Sequence, residues 1–150
     1  MRAPSGRRTT LAAAGLYLSV LMPGPIHLCL ELLNCRLAIC RLDPQEAVPL
    51  WAGASDFSSV TRTREELSIV CREADVPEGI RREGGWRIFK VEGPLDFALT
   101  GVLASLAGPL SEAGVSLFAV STFDTDYVMV REDDMERAAE TLRAAGHSVD

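Results

Sequence analysis

Sulfur and imidazole are scarce in this sequence, and the few that occur lack the spacing that metal chemistry needs. The four cysteines, Cys29, Cys35, Cys40 and Cys71, make no CxxC pair, and the only histidines are His27 and His147. Zinc sites announce themselves by paired short spacings, so no metal is expected. The thiols read as buried free cysteines of a reducing cytoplasm, where the side chain packs as a small apolar group. There is no GxxxxGK[ST] loop and no GxGxxG turn, which removes the common phosphate cradles, and no cofactor is expected. Nucleophilic triads built on histidine are disfavoured, because both histidines lie near the ends of the folded region. With no catalytic set standing out, the chain is not expected to be an enzyme. Clustered basic residues are also missing. A net charge of −6 with scattered arginines, apart from a short run near the start, disfavours nucleic acid and anionic membranes as partners.

What is present suffices for a core. The chain has 150 residues and is 47 % hydrophobic, enough for one ordinary domain or two very small ones. Arg2, Arg7 and Arg8 precede an apolar run from Leu11 to Met22 that superficially fits a signal peptide. Its small residues, Ala12 to Gly15, open the run, whereas a cleavage site needs them at its end. The run is also too short to span a bilayer. Residues 1–25 are therefore expected to be an extension outside the fold, with export as the alternative.

From Ile26 onward, strand and helix patterns alternate. His27 to Leu33 and Arg36 to Leu42 are short apolar runs about Asn34, the pattern of a tight hairpin. Pro49 limits Ala47 to Ala52 to about one helical turn. Phe57 to Thr61 and Leu67 to Cys71 read as strands around a charged turn. Val76 to Gly85, with Pro77, Gly79, Gly84 and Gly85, reads as a linker between residues 26–83 and residues 84–150. Beyond it, Trp86 to Val91 is a strand. Asp96 is placed to cap a helix carrying Leu99, Val102, Leu103, Leu106 and Leu110 on one apolar face. Gly108-Pro109 should kink that helix and Gly114 should end it. Val115 to Val120 and Tyr127 to Arg131 are strands. Asp133 and Glu136 form a capping box before a helix that places Met135, Ala138, Ala139 and Leu142 on one stripe. A last strand follows Gly146. The order β-α-β-β-α-β is the ferredoxin-like plan.

A shift of 60 positions superimposes Pro49-Leu50 on Pro109-Leu110, Val60-Thr61 on Val120-Ser121, and Glu66-Leu67 on Asp126-Tyr127. A repeat this long implies two related lobes, the first a degenerate copy with a stunted first helix. The expected fold class is α+β: two tandem βαββαβ lobes with antiparallel sheets and helices on one face.

Two segments are stranger than a scaffold needs. Pro94 to Gly101 opens onto a helix N-terminus, whose free backbone N–H groups can hold a carboxylate. Ser121 to Asp126 crowds hydroxyls, a phenyl ring and two carboxylates into one strand connection, acceptors that suit an ammonium. Read from the residues alone, an ordinary capped helix and a polar β-turn fit as well as a ligand site.

The run Leu95-Asp96-Phe97-Ala98-Leu99-Thr100-Gly101, followed by Ala113 to Tyr127, resembles the ACT-domain proteins of the aspartate-kinase-like regulatory type. It is also similar to the cytosolic arginine sensors called CASTOR. Phe57 to Thr63, with the strand from Leu67 to Cys71, matches the first lobe of that family, and the resemblance runs from Leu28 to Val149. It implies a small-molecule, amino-acid-binding regulatory protein of the cytoplasm, and a homodimer joined through its second lobes. The ligand would lie against Asp96, Phe97 and Gly101, then Gly114, Val115 and Ser116, then Thr122, Phe123 and Asp126. Ala98 and Leu99 stand where the sensors are acidic, so a neutral or smaller amino acid suits as well as arginine. A ligand-free oligomerisation module is the competing expectation.

Overall fold

The structure, a computed structural model, describes residues 24–150. The expected extension, residues 1–25, thus falls almost wholly outside the described residues. Two long strands dominate: β1, Cys29–Leu42, and β4, Arg82–Val91. Between them lie β2, Ser59–Arg62, and β3, Leu67–Arg72. After β4 come α1, Val102–Glu112; β5, Leu117–Ser121; β6, Asp126–Arg131; α2, Met135–Ala144; and β7, Ser148–Val149. The seven strands make one sheet in the order β2-β3-β1-β4-β6-β5, with β7 beside the start of β1.

Several expectations are corrected. Cys29–Leu42 is one strand and not a hairpin about Asn34, and it pairs with β4 from Leu30↔Val91 to Cys40↔Arg82. The ladder slips between Leu33 and Leu37 and again between Leu37 and Ile39. Asn34 and the Gly84-Gly85 pair, read as a turn and as part of a linker, mark these irregularities within paired strands. Residues that permit a turn equally permit a bulge. Among the described residues the first half of the fold has no α-helix, only short 3₁₀ turns at Leu50–Gly53 and Glu73–Asp75. The sheet is not wholly antiparallel, since β7 runs parallel to β1. The second helix starts at Met135 after a 3₁₀ turn, with no side-chain cap, so the Asp133–Glu136 capping box does not form.

The internal repeat is real but offset by one from the expected period. The β2–β3 hairpin closes at Arg62↔Leu67 and the β5–β6 hairpin at Ser121↔Asp126, 59 positions on. Both turns are held the same way: Thr63 N–H donates to Glu66 O at 2.9 Å, and Thr122 N–H to Thr125 O at 2.8 Å. A 3₁₀ turn follows each, Glu73–Asp75 and Glu132–Asp134. In this register Arg72-Glu73 falls on Arg131-Glu132 and Asp75 on Asp134.

Strand alternation divides the apolar residues between the two faces of the sheet. On one face Leu28, Leu30, Phe89, Val91, Val128 and Val130 pack under Val102, Leu106 and Leu110 of α1 and Ala138 and Leu142 of α2. Farther along this ladder Ala38, Cys40, Leu67, Ile69 and Cys71 are closed off by Ala52 and Val76. Cys40 and Cys71 are buried as expected, whereas Cys35 is half-buried and Cys29 exposed. Among the described residues the opposite face carries no helix, yet Leu37, Ile88 and Met129 are fully buried there. The sheet curls over them, bringing Phe57, just before β2, to 4.8 Å from the Tyr127 ring of β6. The edge strands β2 and β5 face one another across a groove lined by Ser59, Thr61, Val120 and Ser121.

The bulge in β1 puts Arg36 between the two 3₁₀ turns, where Nε meets Glu73 at 2.8 Å and Nη1 meets Glu132 at 2.6 Å. Burial works to raise the Glu73 pKa, but the Gly85 N–H and the Arg36 guanidinium outweigh it and hold the carboxyl below its ordinary range. Glycine suits both positions beside this carboxylate, Gly85 for its left-handed backbone and Gly84 because a side chain there would push the carboxylate aside. A Cβ on Gly84 would lie 2.2 Å from Glu73 Oε1, and Gly85 has φ +74°.

Truncating Leu106 tests the helix-side core. Leu106→Ala should lower unfolding free energy by about 2–5 kcal/mol in urea titration, the scale for emptying a well-packed site. Leu50→Ala, at a side chain 98 % exposed, should leave the transition midpoint nearly unmoved.

Candidate functional site

The loop after β4 and the β5–β6 turn are tied together by backbone and buried polar contacts. Leu95 N–H donates to Asp124 O at 2.7 Å, and Thr125 Oγ1 donates to the Val91 carbonyl at 2.6 Å in a buried position. Gly93 allows the approach, since a Cβ there would lie 2.9 Å from Asp124 O. The Gly93-Pro94 peptide is cis. Thr122 Oγ1 both donates to the Thr125 carbonyl and accepts from its N–H, so the turn is rigid.

Between this turn and the start of α1 lies an open cleft of about 380 Å³. It brings together six of the nine expected ligand residues: Asp96, Phe97, Gly101, Thr122, Phe123 and Asp126. Gly114, Val115 and Ser116 do not line it. They follow the far end of α1, some 16 Å of helix away at 1.5 Å per residue. Val115 is buried under the helices, with its N–H on the Leu110 carbonyl.

Asp96 does not cap α1. Its Oδ1 accepts from Ala98 N–H at 2.8 Å within its own turn, and the helix begins only at Val102. Gly101 is the N-cap, in the left-handed region at φ +85°, and supplies no side-chain acceptor. The first-turn N–H groups of an α-helix have no intrahelical partner, and Val102, Leu103 and Ala104 border the cleft with theirs. Those three residues, with Leu95 and Leu99, line the cleft but are not among the expected ligand residues. The available signal was Gly101, a residue suited to a left-handed entry. Of the expected apolar helix face, Val102, Leu106 and Leu110 are buried, but Leu103 is exposed and Leu99 precedes the helix.

The cleft is amphipathic. Phe97 and Phe123 stack edge-on with centroids 5.0 Å apart, yet they are 76 % and 79 % exposed. With Leu99 and Leu103 they form a contiguous apolar patch flanked by the carboxylates of Asp96 and Asp126 and by the helix N-terminus. Such a surface can receive an anion on backbone N–H groups, a cation on carboxylates, and an apolar body on the rings. Among the described residues no group of three or more His, Cys, Asp or Glu side chains could hold a metal. No described helix is long and apolar enough to cross a membrane.

A sheet continued by two helices in β-α-β-β-α-β order, with an open cleft where the first helix enters, defines an ACT domain, and residues 81–144 match the ACT-domain family model. Residues 81–144 belong to that family. A second model, described only as an N-terminal domain, matches residues 36–79. The human cytosolic arginine sensor for mTORC1 subunit 1 is 39 % identical over 59 residues, which is 39 % of this chain and 18 % of the sensor. The chain thus spans under a fifth of the length of that curated relative. A crystal structure of a protein from Agrobacterium tumefaciens is 44 % identical, with TM-score 0.80 over 83 % of this chain and 93 % of that one. The regulatory subunit of aspartate kinase from Thermus thermophilus is 10 % identical, with TM-score 0.55 over 77 % of this chain and 96 % of that one; it shares the fold.

Removing the buried hydroxyl that ties the turn to β4 should loosen the cleft. Thr125→Val leaves the Val91 carbonyl without this donor and should cost about 1–3 kcal/mol in chemical denaturation. Thr125→Ser, which keeps the hydroxyl, should recover most of that loss.

Proposed function

We propose that the chain is a non-catalytic regulatory protein that binds an amino acid in the cleft between Asp96–Ala104 and Ser121–Asp126, at an interface between two copies. The observation that carries this is the open cleft itself: two exposed rings, three aspartates and a helix N-terminus converge there. The ammonium would face Asp126, the carboxylate the N–H groups of Val102 to Ala104, and the side chain Phe97 and Phe123. The likeness to an arginine sensor and to aspartate-kinase regulatory subunits supports the ligand class.

The dimer reading rests on β5, an edge strand whose outer N–H and C=O groups have no strand partner among the described residues. Two copies of β5 pairing antiparallel about a two-fold axis would complete the sheet. That arrangement sets the start of one β5 beside the end of the other. It would bring Gly114, Val115 and Ser116 of one copy toward the Thr122–Asp126 turn of the second, which explains why one chain leaves them apart. The domain organisation fits two ACT-like lobes, residues 26–83 and 84–150, sharing β1 and β4, with the first reduced to its hairpin and 3₁₀ turn. A cytoplasmic setting follows from the same relatives.

A ligand-free oligomerisation module would use the same exposed rings without an amino acid. A melting-temperature screen against the twenty amino acids separates the two, since a ligand bound only by the folded state must stabilise it by mass action. The proposal expects at least one amino acid to raise the midpoint in proportion to the logarithm of its concentration; twenty flat responses favour the module. For the ligand found, Asp126→Asn should weaken binding by about 1.5–3 kcal/mol in calorimetry, the scale of a charge-assisted hydrogen bond. Equal affinity in the two proteins would remove Asp126 from the site.

A further inference from the structure

The helix-free side of the sheet opens at one end into a larger cleft, about 900 Å³, bounded by the bulged stretch of β1, the Ser55–Phe57 segment and Tyr127. It differs from the ACT-type cleft in position, lining and face. Its inner wall includes Leu33, Leu37 and the Phe57–Tyr127 ring pair. Its rim carries the cross-strand row Glu31↔Lys90↔Tyr127, with Asp56 opposite. Among the described residues, neither Glu31, Lys90 nor Asp56 takes part in an ion pair within 4 Å, unlike Arg36 and Arg72, which are both paired. A volume of this size lies within the range of pockets that hold small molecules.

We propose that this cleft is a second binding site, for an α-amino acid with an apolar, preferably aromatic, side chain. Residues directly opposite on antiparallel strands have Cβ atoms roughly 5 Å apart. Glu31 and Lys90 therefore present a carboxylate and an ammonium side by side, the mirror in charge of an amino-acid head group. The head group's carboxylate meets Lys90 Nζ and its ammonium meets Glu31, with Asp56 as a second acceptor. The next row inward, Leu33↔Ile88, is apolar, so a side chain entering from the rim passes from charge to hydrocarbon within one strand repeat. A ligand with only one of the two charges leaves the other rim residue as it is in the free protein. Discrimination thus comes from meeting both charges at once. This site stands whether or not the ACT-type cleft holds a ligand.

The test uses the full chain, ¹⁵N-labelled, titrated with L-phenylalanine, 3-phenylpropionate and phenethylamine while backbone amide shifts are followed. The expected result is saturable shifts at Glu31–Leu37 and Ser55–Phe57, with phenylalanine bound about tenfold or more tightly than either singly charged analogue. Glu31→Gln and Lys90→Met, both at the rim, should each erase that preference while the spectrum stays folded. Shifts confined to Phe97–Ala104 and Thr122–Asp126 would report the ACT-type cleft alone and overturn the proposal. Equal affinity for the three probes, or no shift around Leu33 and Phe57, would overturn it too.

Discussion

The antiparallel ladder between β1 and β4 holds the molecule together, because these two strands are long enough to belong to both halves of the sheet. Near Leu30↔Val91 the ladder lies under α1 and α2, and near Cys40↔Arg82 it lies beside β3 and the 3₁₀ turns. The second half closes on a strand of the first, since β7 reaches the sheet through β1, whose same edge, opposite β4, also pairs with β3. The two irregularities in the ladder lie where it passes from one half to the other. They also set the exposed Arg36 between the two 3₁₀ turns, which it joins through Glu73 and Glu132.

The repeat explains why the halves differ in capacity. Both keep a hairpin with a Thr-anchored turn and a following acidic 3₁₀ turn. The first half crosses from β1 to β2 with a 3₁₀ turn, whereas the second crosses from β4 to β5 with α1. A helix brings a row of free N–H groups to the hairpin turn, and a short crossing brings none. The ACT-type cleft therefore exists only in the second half. The first half, lacking that crossing helix, leaves the helix-free side of the sheet accessible near Phe57.

Much of this was legible in the sequence. Helix periodicity through Leu106 and Leu110, and again through Ala138 and Leu142, marked the helices, because each buries one stripe. Short apolar runs marked β3 and β6. The acid, ring and hydroxyls of Thr122 to Asp126 marked the turn that the cleft is built on, and the family resemblance supplied Asp96, Phe97 and Gly101. The errors share one cause: local turn chemistry does not say whether a chain reverses or bulges. Asn34 and Gly84-Gly85 were read as a turn and a linker because nothing local reveals that β1 and β4 lie side by side. The same limit misplaced the start of α1, where Asp96 closes its own turn five residues before Gly101. Curling of the sheet, which buries Leu37, Ile88 and Met129 without helices, depends on contacts far apart in sequence and leaves no local pattern. The repeat was found one residue out of register because apolar neighbours match nearly as well at 60 as at 59; the Arg72-Glu73 and Arg131-Glu132 pairs decide it.

The proposed function turns on β5 being an interface strand, since pairing there would assemble a complete ligand site from two chains. Amide hydrogen exchange across a dilution series reads this directly. In a monomer the outward N–H groups of Leu117–Ser121 face solvent and exchange rapidly, whereas the inward ones are held by β6. The account predicts that the outward amides are protected at micromolar protein and lose that protection on dilution, while β4 and β6 stay unchanged. Rapid exchange of the outward amides at every concentration would contradict it.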